Sequence, residues 1–130
     1  MKAFLYVGIG GALGAMARYG FTLLPIKNEF PLPTLMINVI GAFIIGLIAQ
    51  LALKTSMQPD LVLLIKTGLC GGFTTFSTFS LESMQLIQKK AWLQAGSYIL
   101  FSIVFCLLAV YLGMQFADLL IRKFSFWSVH

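Results

Sequence analysis

Charge is scarce in this sequence. Of its 130 residues, 10% are charged and 59% hydrophobic, whereas soluble chains carry about 25% charged and about 45–50% apolar residues. A soluble domain of this size has no core large enough to hide so much apolar surface, so an ordinary soluble fold is excluded. Acids are scarcer still. Asp and Glu number four against nine Lys and Arg, and Glu29, Asp60, Glu82 and Asp118 all fall at or near the ends of apolar runs. A proton-coupled antiporter for cationic drugs calls for a carboxylate at membrane depth; its absence disfavours that class. Cysteine is limited to Cys70 and Cys106, inside apolar stretches, with no C-x-x-C and no His/Cys cluster. A zinc or redox centre therefore lacks ligands, and both thiols read as small buried hydrophobes. The single histidine, His130, reads as solvent-exposed and uninvolved.

What is present is four apolar runs, at about residues 3–24, 30–53, 61–81 and 91–117. A membrane crossing takes roughly 20 apolar residues, so 1–130 reads as a single all-α integral membrane domain of four transmembrane helices. No room remains for an extramembrane catalytic domain. Phe30 to Leu53 holds no charge and measures about 36 Å as a helix. The connectors carry loop punctuation: Pro25, Pro31 and Pro33, then Pro59-Asp60, then Lys89-Lys90. Tyr19, Trp92 and Trp127 stand near run ends, as interfacial aromatics do. The basic residues are scattered at run ends instead of clustered on one face, which argues against nucleic acid. Ala15-Met16-Ala17 imitates a signal-peptide cleavage site. Gly10 and Gly14, however, form a GxxxG pair better read as close helix packing, and Arg18 follows at once.

Orientation is weakly specified. With the N-terminus inside, the cytoplasmic side collects Lys2, Lys54, Lys66, Arg122 and Lys123; the other side collects Arg18, Lys27, Lys89 and Lys90. Lys/Arg bias normally fixes topology, and here the two sides nearly balance. The chain can then insert both ways, with two opposed copies pairing about an axis in the membrane plane, as inverted repeats do. The alternative is one orientation, set by features the count misses.

The polar groups at depth are neutral. Asn38 sits within the second run; its amide offers two N–H donors and an acceptor, for a helix–helix hydrogen bond or for a ligand. The third run contains Gly68, Gly71 and Gly72, then Phe73-Thr74-Thr75-Phe76-Ser77-Thr78-Phe79-Ser80-Leu81-Glu82. The glycines weaken a helix at mid-membrane, and a broken helix is tolerated there only where it is buried or lines a cavity. Freed carbonyls at such a break can hold a cation. Phe76 and Phe79 share a helix face; such pairs usually pack, yet the positive ring edge, with the hydroxyls of Ser77, Thr78 and Ser80, also suits a small anion. Donors without cations let an anion bind and leave. No phosphate loop is present.

Gly71-Gly72-Phe73-Thr74-Thr75-Phe76-Ser77-Thr78-Phe79-Ser80, together with Gly10-Gly11-Ala12-Leu13-Gly14 before Arg18, and Thr34-Leu35 with Asn38 and Gly41, resembles the signature of the Fluc (CrcB) fluoride channels. The resemblance covers essentially the whole chain. It implies a passive, fluoride-selective channel of the cell membrane that exports toxic cytoplasmic fluoride through two antiparallel pores of a dual-topology homodimer. It also implies pore-lining roles for Asn38, Phe76 and Phe79, with Ser77, Thr78 and Ser80 in the hydroxyl stretch around them. Arg18 and Glu82 match vestibule or pore-flanking positions. Gly71 and Thr74 match positions whose backbone carbonyls hold a structural sodium ion at the dimer interface. Partners implied are fluoride, a second copy and lipid, with no organic cofactor and no enzymatic activity. The fourth run matches less distinctively: Tyr98 and Ser102 can face a pore, whereas Cys106 and Val110 are less polar than a hydroxyl-lined face requires. The rival readings are a small four-helix multidrug antiporter, and a membrane assembly protein in which Asn38 and the glycines serve packing alone.

Overall fold

The computed structural model describes residues 1–25 and 30–127, with side chains through 123. Lys27, Glu29, the Trp127 side chain and His130 lie outside the described residues. The order is α1 (Lys2–Thr22), α2 (Leu32–Lys54), α3 (Pro59–Val62), a π-helix (Leu63–Cys70), α4 (Gly71–Phe73), α5 (Phe76–Gln88) and α6 (Trp92–Trp127). The described residues are thus all helical or loop. Pro33 stands in the first turn of α2, where its missing N–H has no helical partner to lose. Between α5 and α6 the chain reverses tightly. Ala91 N–H bonds Leu86 O at 3.0 Å and Lys90 N–H bonds Ile87 O at 2.9 Å, with Lys90 at φ 60°. This is the bonding of a Schellman cap, with lysine in the place glycine usually takes.

Three stretches are long and apolar enough to cross a membrane: Leu32–Lys54, Pro59–Gln88 and Trp92–Lys123. Little of them is buried within the single chain, and large side chains such as Phe4, Leu53, Leu93 and Leu107 stand open. In water such faces would be costly; in lipid they are the ordinary surface. The last helix runs on past Ala117 to Trp127.

Close approach of backbones holds the bundle together. A methyl group on Gly10 would meet Leu69 N at 2.9 Å and overlap Leu64 O; one on Gly14 would meet Phe73 N at 2.8 Å and overlap Leu69 O. On the facing element, Gly68 and Gly72 lie against Gly10 and Gly11. Small residues on both sides let α1 and the π-helix touch without side chains between them. A second crossing repeats the device: Gly46 of α2 faces Val110 of α6, and Gly113 of α6 faces Phe43 and Leu47 of α2. Around these seams Leu35, Leu86, Ala95 and Tyr98 form a buried cluster, with Phe30, Val39 and Phe79 packed on it.

The crossings give opposite signs for two glycine substitutions on one helix. Gly14→Ala is expected to destabilise by about 1–3 kcal/mol, because overpacking forces the backbones apart. Gly8 has nothing within 4 Å of an added methyl, so Gly8→Ala should stabilise, by up to about 1 kcal/mol of helix propensity. Thermal unfolding in detergent reads both; equal effects would contradict the packing.

Candidate functional site

Where α4 ends, Thr74 (φ −75°, ψ 155°) and Thr75 (φ −149°, ψ 110°) are extended, and α5 starts afresh at Phe76. The interruption falls on these two threonines, and the glycines before them remain helical. Backbone groups freed at such a point need partners, since membrane interiors supply none. Asn38, from α2, provides two. Its Oδ1 accepts from Thr75 N–H at 2.8 Å, and its Nδ2 donates to Thr75 O at 3.2 Å. The Thr75 N–H that would bond Gly71 O in a continuous helix is spent on Asn38, which leaves the Gly71 carbonyl without that donor. Gly71 is exposed and has open space on its side-chain face.

The same threonine starts the next helix. Thr75 Oγ1 accepts from Thr78 N–H at 3.2 Å, an N-cap, and its hydroxyl lies 3.0 Å from Thr78 Oγ1 and 3.2 Å from Ser77 Oγ. Thr74 Oγ1 donates to Cys70 O at 2.8 Å, and Ser80 Oγ donates to Phe76 O at 2.9 Å. The hydroxyls of Ser77, Thr78 and Ser80 are therefore tied to the start of α5 or to its backbone.

Beside the interruption lies an open cleft of about 430 Å³, lined by Asn38, Thr74, Thr75, Phe76, Phe79, Ser102 and Cys106 among others. Of the expected site residues, the structure brings Asn38, Thr74, Phe76 and Phe79 to this cleft. Ser77, Thr78, Ser80, Arg18, Glu82 and Gly71 do not line it. Thr75 and Ser102 do. Ser102 stood in the sequence without a motif around it; Thr75 stands inside the Gly71–Ser80 signature string with no implied role of its own. Ser102 is 6% exposed, and its Oγ is the one buried side-chain polar atom among the described residues with no partner.

The aromatic wall is anchored from behind. Phe76 and Phe79 have centroids 5.5 Å apart at 45°, and Phe79 leans on Tyr98 at 5.2 Å. Tyr98 is fully buried and donates to Glu82 Oε2 at 2.8 Å, while Thr34 Oγ1 donates to Glu82 Oε1 at 2.9 Å. Glu82 thus belongs to a buttress joining α2, α5 and α6. Phe76, by contrast, is 80% exposed. Arg18 is half-buried in the last turns of α1.

Chemically, the cleft offers the second N–H of Asn38, the unspent hydroxyl of Ser102 and two phenylalanine rings. No charged side chain lines it. Such a lining can strip water from a small anion without holding it fast. It gives a cationic drug no carboxylate.

A family model described as "CrcB-like protein, Camphor Resistance (CrcB)" matches residues 5–114. A protein of Chlorobium phaeobacteroides named "Fluoride-specific ion channel FluC" is 43% identical over 122 residues, covering 92% of this chain and 95% of its own. One of the same name from Shewanella loihica is 42% identical over 118 residues, covering 88% of this chain and 95% of its own. Another, from Methanococcus vannielii, is 38% identical over 128 residues, covering 98% of this chain and all of its own.

Two substitutions separate structural from unspent polar groups. Asn38→Ala strands both Thr75 backbone groups and should cost about 1–3 kcal/mol. Ser102→Ala breaks no bond among the described residues and should change stability by less than about 0.5 kcal/mol. Thermal melts of the two variants would refute the assignment if they moved together.

Proposed function

The chain belongs to the CrcB family, and on that footing we propose that it is a fluoride-specific ion channel. The observation that carries the reading is the cleft itself: an uncharged lining of amide, hydroxyl and aromatic rings beside an interrupted helix. Fluoride is small and strongly hydrated, so a path for it must replace water with donors. Asn38 and Ser102 supply N–H and O–H, and Phe76 and Phe79 present ring edges. Transport down a gradient needs no titrating acid, and the cleft has none. As a member of a family whose named relatives are fluoride-specific ion channels, the protein is a multi-pass membrane conduit and not an enzyme.

The working unit we infer is an antiparallel homodimer with two pores, α1 forming a fourth crossing beside the three longer stretches. Three features support it. Phe76 stands 80% exposed on the wall of a cleft that is open on one side, as an incomplete path would be. Large apolar faces remain uncovered in one copy. The basic residues nearly balance across the two ends. Ser77, Thr78, Ser80, Arg18 and Glu82 would flank the path, the hydroxyls through the local order they give α5.

A structural sodium ion fits the interruption. Among the described residues no cluster of acidic, His or Cys side chains could hold a metal, so a cation here would rest on carbonyl oxygens. The Gly71 carbonyl has lost its helical donor to Asn38, and Thr74 begins the extended stretch. Gly71 and Thr74 would hold the ion, which when bound would neutralise the dipoles at the end of α4. Hard oxygen ligands suit such a cation.

Liposomes containing the purified protein should lose fluoride rapidly and retain chloride. Equal loss of both ions, or loss of neither, would sink the reading. Phe79→Ile keeps bulk but removes the ring edge, and should lower fluoride flux at least about tenfold, the effect of roughly 1.4 kcal/mol on the path. The variant's elution volume in detergent should be unchanged.

A further inference from the structure

A second cleft, also about 430 Å³, lies where α2 ends and the last turns of α6 begin. Lys54, Gln115, Asp118, Leu119, Ile121 and Arg122 line it. Asp118 follows Trp92 by 26 residues, about 39 Å along a helix, which exceeds the roughly 30 Å hydrocarbon core. The cleft therefore sits at headgroup depth. Its polar floor is built from two helices. Gln50, 9% exposed, donates Nε2–H to Asp118 Oδ1 at 2.9 Å, and Lys54 Nζ donates to the same oxygen at 2.8 Å. Both bonds end on Oδ1, and no described residue bonds Oδ2. The Asp118 side chain remains 28% exposed.

This charge pattern selects among lipids. Lys54 is already matched by Asp118, so a purely anionic headgroup gains Arg122 but meets a carboxylate. A quaternary ammonium has no N–H to give Oδ2. A headgroup carrying both a phosphate and a primary ammonium complements Arg122 and Asp118 Oδ2 together. We propose that this cleft binds phosphatidylethanolamine. The ammonium donates to Asp118 Oδ2, the phosphate accepts from Arg122, and the acyl chains run along Leu119 and Ile121. The proposal requires only that the chain lies in a bilayer, and stands apart from the fluoride reading.

The test is retention of lipid by delipidated protein in mild detergent, read by native mass spectrometry with phosphatidylethanolamine, phosphatidylcholine or phosphatidylglycerol at equal concentration. Phosphatidylethanolamine should be retained about three- to fivefold more than the other two, the factor one partly exposed charge-assisted contact gives. Asp118→Asn should abolish that preference, and Arg122→Gln should lower retention of all three lipids. Equal retention of the three by the wild-type protein, or a preference that survives Asp118→Asn, overturns the proposal. Arg122 is exposed, so Arg122→Gln tests the phosphate contact even where Asp118→Asn does not fold, and unchanged retention in it is equally fatal. Soluble phosphoethanolamine should not displace the lipid at matched concentration; if it does, the site takes a free ligand and the lipid assignment falls.

Discussion

An α-helix interrupted inside a bilayer exposes peptide groups where no water can reach them, and each unmatched group costs several kcal/mol. The two bonds between the Asn38 amide and the Thr75 backbone remove that cost at the one place where this chain breaks its third apolar stretch. A primary amide is the side chain suited to the task, since it carries a donor and an acceptor side by side, as a peptide does. Glutamine would arrive one methylene too far, and aspartate would bring a charge. With the amide in place, Thr75 can turn outward from the helical path and start α5 in a new register, which is what sets Phe76 and Phe79 on the cleft wall.

The rest of the bundle can be understood as holding Asn38 and Thr75 at that separation. Gly41, one turn beyond Asn38, lets α2 approach the Thr74 side chain closely. The crossing of α1 with the π-helix fixes the segment before the interruption, and the crossing of α2 with α6 fixes the segment that carries Asn38. Behind the phenylalanines, Tyr98 and Thr34 clamp the two oxygens of Glu82, so the wall leans on a hydrogen-bonded post. Glu82, behind the cleft wall, is thereby turned to structural use.

Much of this was legible in the residues. The apolar runs gave the helices, Gly10 and Gly14 gave the close crossing, and Asn38 stood out as an amide at depth. The location of the interruption was harder. Glycines weaken helices, so three of them beside a threonine run point to themselves. In the fold Gly68 and Gly72 serve contact with α1 instead, and the chain departs from helix at Thr74 and Thr75, where a partner on α2 waits. Which partner Asn38 takes is a tertiary fact that no spacing encodes. Hydroxyl counting had a similar limit. Ser and Thr near a helix start bond their own backbone, so residue type alone does not tell that Ser80 is engaged while Ser102 is unspent. The buttress around Glu82 joins residues 34, 82 and 98, which no local pattern connects.

The unspent groups matter because of what conduction demands. A lysine in the cleft would attract an anion far more strongly than an amide does, and in a low-dielectric setting that attraction would hold it. A carboxylate would exclude it. Neutral donors lie between these limits, and they can be few only if the ring edges share the work of replacing water. The fold meets the condition by engaging neighbouring polar groups on itself: Asn38 keeps one N–H after serving Thr75, and Ser102 keeps its hydroxyl because no described residue bonds it. A buried hydroxyl left unmatched costs about 1–3 kcal/mol. A water or an anion in the cleft can accept from that hydroxyl, so Ser102 stays available as a donor at no standing cost to the fold.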